Sequence, residues 1–252
     1  MQTSSRYAAV FVSLAAAAVV GLAGPAGAST SAQSTYDAAL KIAGSEGVHY
    51  VSTAKEQGVS IRVVGDTGKS SGSQTLSVHK GTLTETLTVT LIGSTGYVKG
   101  NTPALLNVLG LTATQSGKYN GKWLYFPSNS ATLSELVTGL RQKDVPKELK
   151  MSGPFTFGPS KTFGGQKAKS IRGSVSSSSG GKVPVVLYVA SGSAPVEEVT
   201  NPGATGSAIT GVVAFTKLGE KVHFSTPAHA SSLLALAPAA ASGTTTTTTT
   251  TG

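Results

Sequence analysis

Between Leu83 and Ile92 the chain alternates with a period of two. Leu83, Leu87, Val89 and Leu91 fall on one side, and Thr84, Thr86, Thr88 and Thr90 on the other. Such alternation predicts an antiparallel strand with one apolar and one polar face. The runs His49–Thr53, Val59–Val64, Thr75–His79 and Tyr97–Lys99 share its Val, Ile, Thr and Tyr content and are separated by Gly and Ser, so they read as further strands. Upstream, Tyr36, Ala39, Leu40 and Ala43 recur at helical spacing, which predicts one amphipathic helix from Thr35 to about Gly44–Gly47. A second helix is predicted at Thr102-Pro103, with Thr102 as N-cap and Pro103 in the first turn, carrying Leu105, Leu106, Val108 and Leu109. Leu133, Leu136, Val137 and Leu140 predict a third, capped by Ser130 or Thr132. Strands then resume at Pro154–Phe157, Lys167–Val175, Lys182–Ala190, Val196–Thr200, Ile209–Lys217 and Lys221–Phe224. The nearly unbroken apolar run from Val183 to Val189 suits a strand covered on both faces.

The ends of the chain break these periods. Arg6 precedes a small and apolar run from Ala8 to Gly24, Pro25 interrupts it, and Ala26-Gly27-Ala28 follows. This pattern predicts a secretory signal peptide cleaved after Ala28. A membrane anchor fits less well, since the run has 17 residues, many of them Ala, where a span needs roughly 20. Residues 29–34 read as a polar arm and 35–230 as the folded domain. Residues 231–252, with Ala, Ser and one Pro before eight threonines (Thr244–Thr251), read as a disordered Ala/Pro/Thr tail. Removal of residues 1–28 leaves 224 residues, enough for one domain that folds by burial alone. The sequence holds no cysteine. It therefore offers no disulfide, no thiolate metal site and no acylation point at the signal cleavage site.

Charged residues make up only 12% of the chain, yet Lys and Arg outnumber Asp and Glu by 20 to 11. The excess lies between Arg141 and Arg172, where Arg141, Lys143, Lys147, Lys150, Lys161, Lys167, Lys169 and Arg172 face only Asp144 and Glu148, a net of +6. The segment reads either as a solvated face or as a surface for peripheral contact with an anionic membrane or wall polymer. Nucleic acid is a poor partner for it, because the leader predicts an exported chain.

Catalytic patterns are not found. Gly65-Asp66-Thr67-Gly68-Lys69-Ser70 imitates the end of a phosphate-binding loop, but Val63 stands where its first glycine belongs and no helix follows. A hairpin turn accounts for it better. His49, His79, His223 and His229 form no helical metal-ligand pair. Glu197 and Glu198 are adjacent, hence on opposite faces of a strand. Neither an exposed nucleophile motif nor a cofactor motif is present.

Gly96-Tyr97-Val98-Lys99-Gly100, the Leu-rich helix after it, and Tyr119-Asn120-Gly121-Lys122-Trp123-Leu124-Tyr125-Phe126 together give a distinctive order of elements. With Gly164-Gly165-Gln166-Lys167-Ala168 and Val185-Val186-Leu187-Tyr188-Val189-Ala190 in the later strands, the chain from Thr35 to about Pro227 resembles the secreted actinobacterial lipoproteins of the LppX/LprG type. These in turn resemble the LolA lipoprotein carriers. The resemblance implies an α+β fold, a curved antiparallel half-barrel with about three helices covering its concave face. It also implies carriage of lipids or acylated molecules across the cell envelope. The chain departs from the family in lacking the lipobox cysteine and in carrying the threonine tail.

The expected function is thus a non-catalytic, exported binding protein that encloses an apolar ligand, a lipid or acylated molecule. Its wall would be Leu87, Val89 and Leu91 on the long strand, Leu105, Leu106 and Leu109 on the second helix, and Leu136, Val137 and Leu140 on the third. The same residues would form an ordinary filled core, a difference that periodicity leaves open. The alternatives are a structural or adhesive envelope protein that binds a partner protein or wall polymer, and an enzyme of unrecognised type.

Overall fold

The computed structural model describes residues 31–45, 47–56, 58–130, 133–163, 166–176, 181–190, 195–200, 210–216 and 219–236. The expected signal peptide and the end of the threonine tail lie outside them. Helix α1 spans Ala32–Ser45 and so takes up the second half of what reads as a polar arm. The Ser31 hydroxyl accepts from the Ser34 amide at 3.1 Å, satisfying an N–H that would otherwise be orphaned at the helix start. Its buried stripe is Ala32, Tyr36, Ala39 and Ala43.

Five strands follow as a meander: β1 (Val48–Glu56), β2 (Val59–Thr67), β3 (Ser71–Lys80), β4 (Leu83–Ile92) and β5 (Thr95–Gly100). Helices α2 (Thr102–Asn107) and α3 (Ala113–Tyr119) lead into β6 (Leu124–Pro127). After two 3-10 turns, Ser134–Val137 and Gln142–Asp144, and the short α4 (Val145–Glu148), come β7 (Ser152–Phe163), β8 (Gln166–Ser176), β9 (Lys182–Ala190), β10 (Pro195–Thr200), β11 (Thr210–Thr216) and β12 (Ser231–Ser232). All twelve join one sheet in the order β12-β6-β5-β4-β3-β2-β1-β11-β10-β9-β8-β7. Every pairing is antiparallel except β12 with β6. The sheet is curved and does not close, so the fold is the α+β half-barrel expected.

Register places the buried side chains on one face. One cross-strand row runs Leu124, Val98, Val89, Gln74, Gly65, Tyr50, Phe215; the next contains Leu87, Leu76 and Val63. Helices and turns pack on this face in two groups. α2 and the Ser134–Val137 turn cover β2–β6, while α1 and α4 pack with β1, β8, β9 and β11. Three glycines of the sheet are fixed by close approach. A Cβ at Gly65 would stand 2.4 Å from the Tyr50 ring, one at Gly96 2.4 Å from the Phe126 ring, and one at Gly72 2.0 Å from the Leu140 carbonyl oxygen.

Four expectations need correction. The N-cap of α2 is Asn101, whose side chain accepts from the Ala104 amide, and Thr102 is already helical. The predicted third helix reduces to the single turn Ser134–Val137, with no side-chain cap on Leu133. Beyond it Thr138 is extended, Gly139 has φ +78°, and the Gln142 amide donates to the Gly68 carbonyl. Docking of this stretch against the β2–β3 turn overrides the helical spacing. Residues 221–224 form no strand. Residues 219–230 must carry the chain from β11 to the far edge of the sheet, seven strand spacings away at about 4.8 Å each, and a crossing segment cannot join the ladder.

Finally, residues 231–236 are not the disordered tail expected from Ser231. Ser231 and Ser232 pair with Leu124 and Tyr125, Leu233 is buried, and Leu236 packs against the core. At the other edge β7 pairs with β8 through two register shifts, between Ser152 and Thr156 and between Gly158 and Lys161. Pro154 lies within the first shift and Pro159 within the second.

Candidate functional site

The apolar face of β2–β6 is built by strand alternation. Leu87, Val89 and Leu91 of β4 stand beside Leu76 and Val78 of β3, Ile61 of β2, Val98 of β5, and Leu124 and Phe126 of β6. Ala104 and Leu105 of α2 cover it, with Leu136 and Val137 of the 3-10 turn and Leu140 just after it. Leu109 is partly buried against the same cluster. Eight of the nine residues expected on the wall thus meet on one face. Leu106 does not, being 41% exposed. It follows Leu105 by about 100° of helical rotation, so only one of the two can face the sheet.

The cluster is closely shielded. Leu87, Val89, Leu91, Leu105 and Leu140 have essentially no exposed surface. An apolar guest can reach them only if α2 and the Ser134–Leu140 segment part from the sheet. Side-chain attachments oppose that movement, among them Gln74 Nε2, which donates to the Leu136 carbonyl at 3.3 Å, and Asn107 Nδ2, which donates to Glu85 Oε1 at 2.6 Å.

Polar groups on this face escaped the sequence reading. Gln74, Thr67 and Glu85 are all buried there. Glu85 shares the odd-numbered register of Leu83, Leu87, Val89 and Leu91, so alternation alone assigns it to the apolar side. The hydroxyl of Thr67 and Oε2 of Glu85 find no hydrogen-bond partner among the described residues. The helix α3 was also missed, although Thr112 and Gln115 form its capping box and spell it in sequence.

The loop-like glycine motif lies where expected, at the β2–β3 turn. His49 Nδ1 lies 2.7 Å from Asp66 Oδ1, bonding across the β1–β2 pair. The cations of 141–172 divide between two places. Arg141, Lys143, Lys147 and Lys150 belong to the turns and α4, where Arg141 donates to the Gly93 carbonyl and Lys147 pairs with Asp144 at 2.8 Å. Lys161, Lys167, Lys169 and Arg172 belong to the edge pair β7–β8. There Lys161 lies 5.5 Å from the Tyr188 ring and Lys169 5.9 Å from that of Phe157, itself 44% exposed. No described helix is long and apolar enough to cross a membrane.

The open curved sheet with its helices gathered over the buried face has a counterpart among solved structures. LprF from Mycobacterium bovis superposes with a TM-score of 0.51 at 14% identity, covering 78% of this chain and 96% of LprF. This chain is similar in fold to LprF. A LolA superfamily protein from Nitrosomonas europaea covers similar shares, 77% and 96%, but at a TM-score of 0.27 and 9% identity it adds no weight. No protein-family model matches the sequence, and no curated protein matches it. What is common with LprF is therefore the fold alone, at an identity too low to carry a residue's role across.

Proposed function

We propose that this chain is an exported, non-catalytic binding protein that takes an apolar ligand, a lipid or acylated molecule, onto the inner face of its half-barrel. The observation that carries the reading is the convergence of Leu87, Val89, Leu91, Leu105, Leu109, Leu136, Val137 and Leu140 beneath a short cover on an unclosed sheet. The likeness to LprF supports it at the level of the fold. Apolar area leaving water would supply affinity at about 25 cal/mol per Å². The leader Arg6–Ala28 supports export, and a place in the cell envelope or outside the cell follows from it.

Extraction of the purified protein with organic solvent, followed by mass spectrometry, tests the reading. A stoichiometric lipid in the extract is expected; an empty extract together with no uptake of a fluorescent lipid overturns it. The basic edge pair β7–β8, with Phe157 exposed among its lysines, favours peripheral contact with an anionic membrane or wall polymer as an accompaniment.

A further inference from the structure

Glu85 is the one carboxylate among the described residues that is buried on the apolar face, with 2% of its surface exposed. It pairs across strands with Val78, which pairs in turn with Ile61, and Leu87 follows it on the same face of β4. Two residues towards the hairpin end, Leu83 is 40% exposed, so Glu85 marks the last buried position before the face opens to solvent. Its two oxygens differ. Oε1 accepts from Asn107 Nδ2 at 2.6 Å, while Oε2 is buried and has no partner among the described residues. A buried acceptor left without a donor is costly, and such groups are rare in folded proteins. A carboxylate at the rim of an apolar face, held by one oxygen and idle at the other, is an acceptor set for a donor that arrives with a ligand.

We propose that Glu85 Oε2 is the recognition point for the polar head of the bound amphiphile, and that this head carries a hydrogen-bond donor, a hydroxyl or an amine. The proposal rests on the reading of this face as a lipid site. Asn107, the last residue of α2, holds Oε1 and thereby leaves Oε2 to the ligand. Leu87, the next residue inward on the same face, would accompany the first carbons of the chain.

Displacement of a fluorescent lipid by hexadecanol, hexadecylamine and hexadecyl methyl ether tests this on the full chain. The alcohol and the amine should compete better than the ether by about tenfold, and the order of those two separates a hydroxyl head from an ammonium. In Glu85→Gln the side-chain oxygen must stay on Asn107, so an amide donor replaces the free acceptor. The preference should then collapse or invert towards the ether. Equal competition by all three probes overturns the role of Glu85 and leaves the lipid site standing. Failure of every probe, and of the fluorescent lipid, overturns the lipid site and this proposal with it. Should the variant not fold, the comparison on the unmodified protein still decides.

Discussion

The Tyr50 hydroxyl donates a 2.7 Å hydrogen bond to Gln74 Oε1, and the ring that carries it lies across Gly65. Tyr50 packs with the cluster under α1, while Gln74 sits in the β3 row of the cluster under α2 and holds the Leu136 carbonyl. One side-chain pair therefore joins the two halves of the core. Gly65→Ala should destabilise the fold by about 1–3 kcal/mol, because its Cβ meets the ring at 2.4 Å. Tyr50→Phe should cost about 1 kcal/mol through the lost bond and the unpaired Gln74. Urea unfolding of the two variants and their combination measures both effects.

Val89 has no exposed surface, so Val89→Trp should lower stability by about 1–3 kcal/mol in the ligand-free protein. Binding of an apolar ligand should raise the melting temperature of the unmodified protein, since a ligand that prefers the folded state stabilises it by mass action. The variant should lose that rise. Thermal melts with and without added lipid read both effects, and no rise in the unmodified protein would speak for a filled core.

The position of the true tail boundary is testable by truncation. Ending the chain after Ala230 removes the β12 pairing and the buried Leu233, which should cost about 2–5 kcal/mol. Ending it after Leu236 should leave the melting temperature unchanged.

Export predicts a processed N-terminus. Sequencing of the protein from culture supernatant should begin at Ser29, one residue after Ala28. Protein held in the cytoplasm with Met1 intact would contradict it.

Much of this architecture was legible where one physical effect acts alone. The Leu83–Ile92 alternation yields β4 with its observed ends, and the Tyr36–Ala43 stripe yields α1 short by one turn. The misreadings fall where tertiary contacts compete with local pattern. Leu133–Leu140 has helical spacing, yet contact with Gly72 and Gly68 draws it into a turn and an extended stretch. Val222 and Phe224 alternate like strand residues, yet they belong to a crossing segment. Leu106 reads as wall because its neighbours do, but α2 has only six residues, and its buried positions are Ala104 and Leu105. Glu85 was available from register alone and was obscured by the four apolar residues that share its face.

The edge at β7 is an outer margin of the sheet. A twelve-residue outer strand is a ready template for a second chain to add to. Pro154 and Pro159 remove two amide donors along it, and the two register shifts interrupt its regular spacing. Lys161 adds charge in the same stretch. A second copy approaching this margin meets short, offset lengths of backbone with repulsion beside them. The sheet can thus stay unclosed without offering its β7 margin as a seed for fibres.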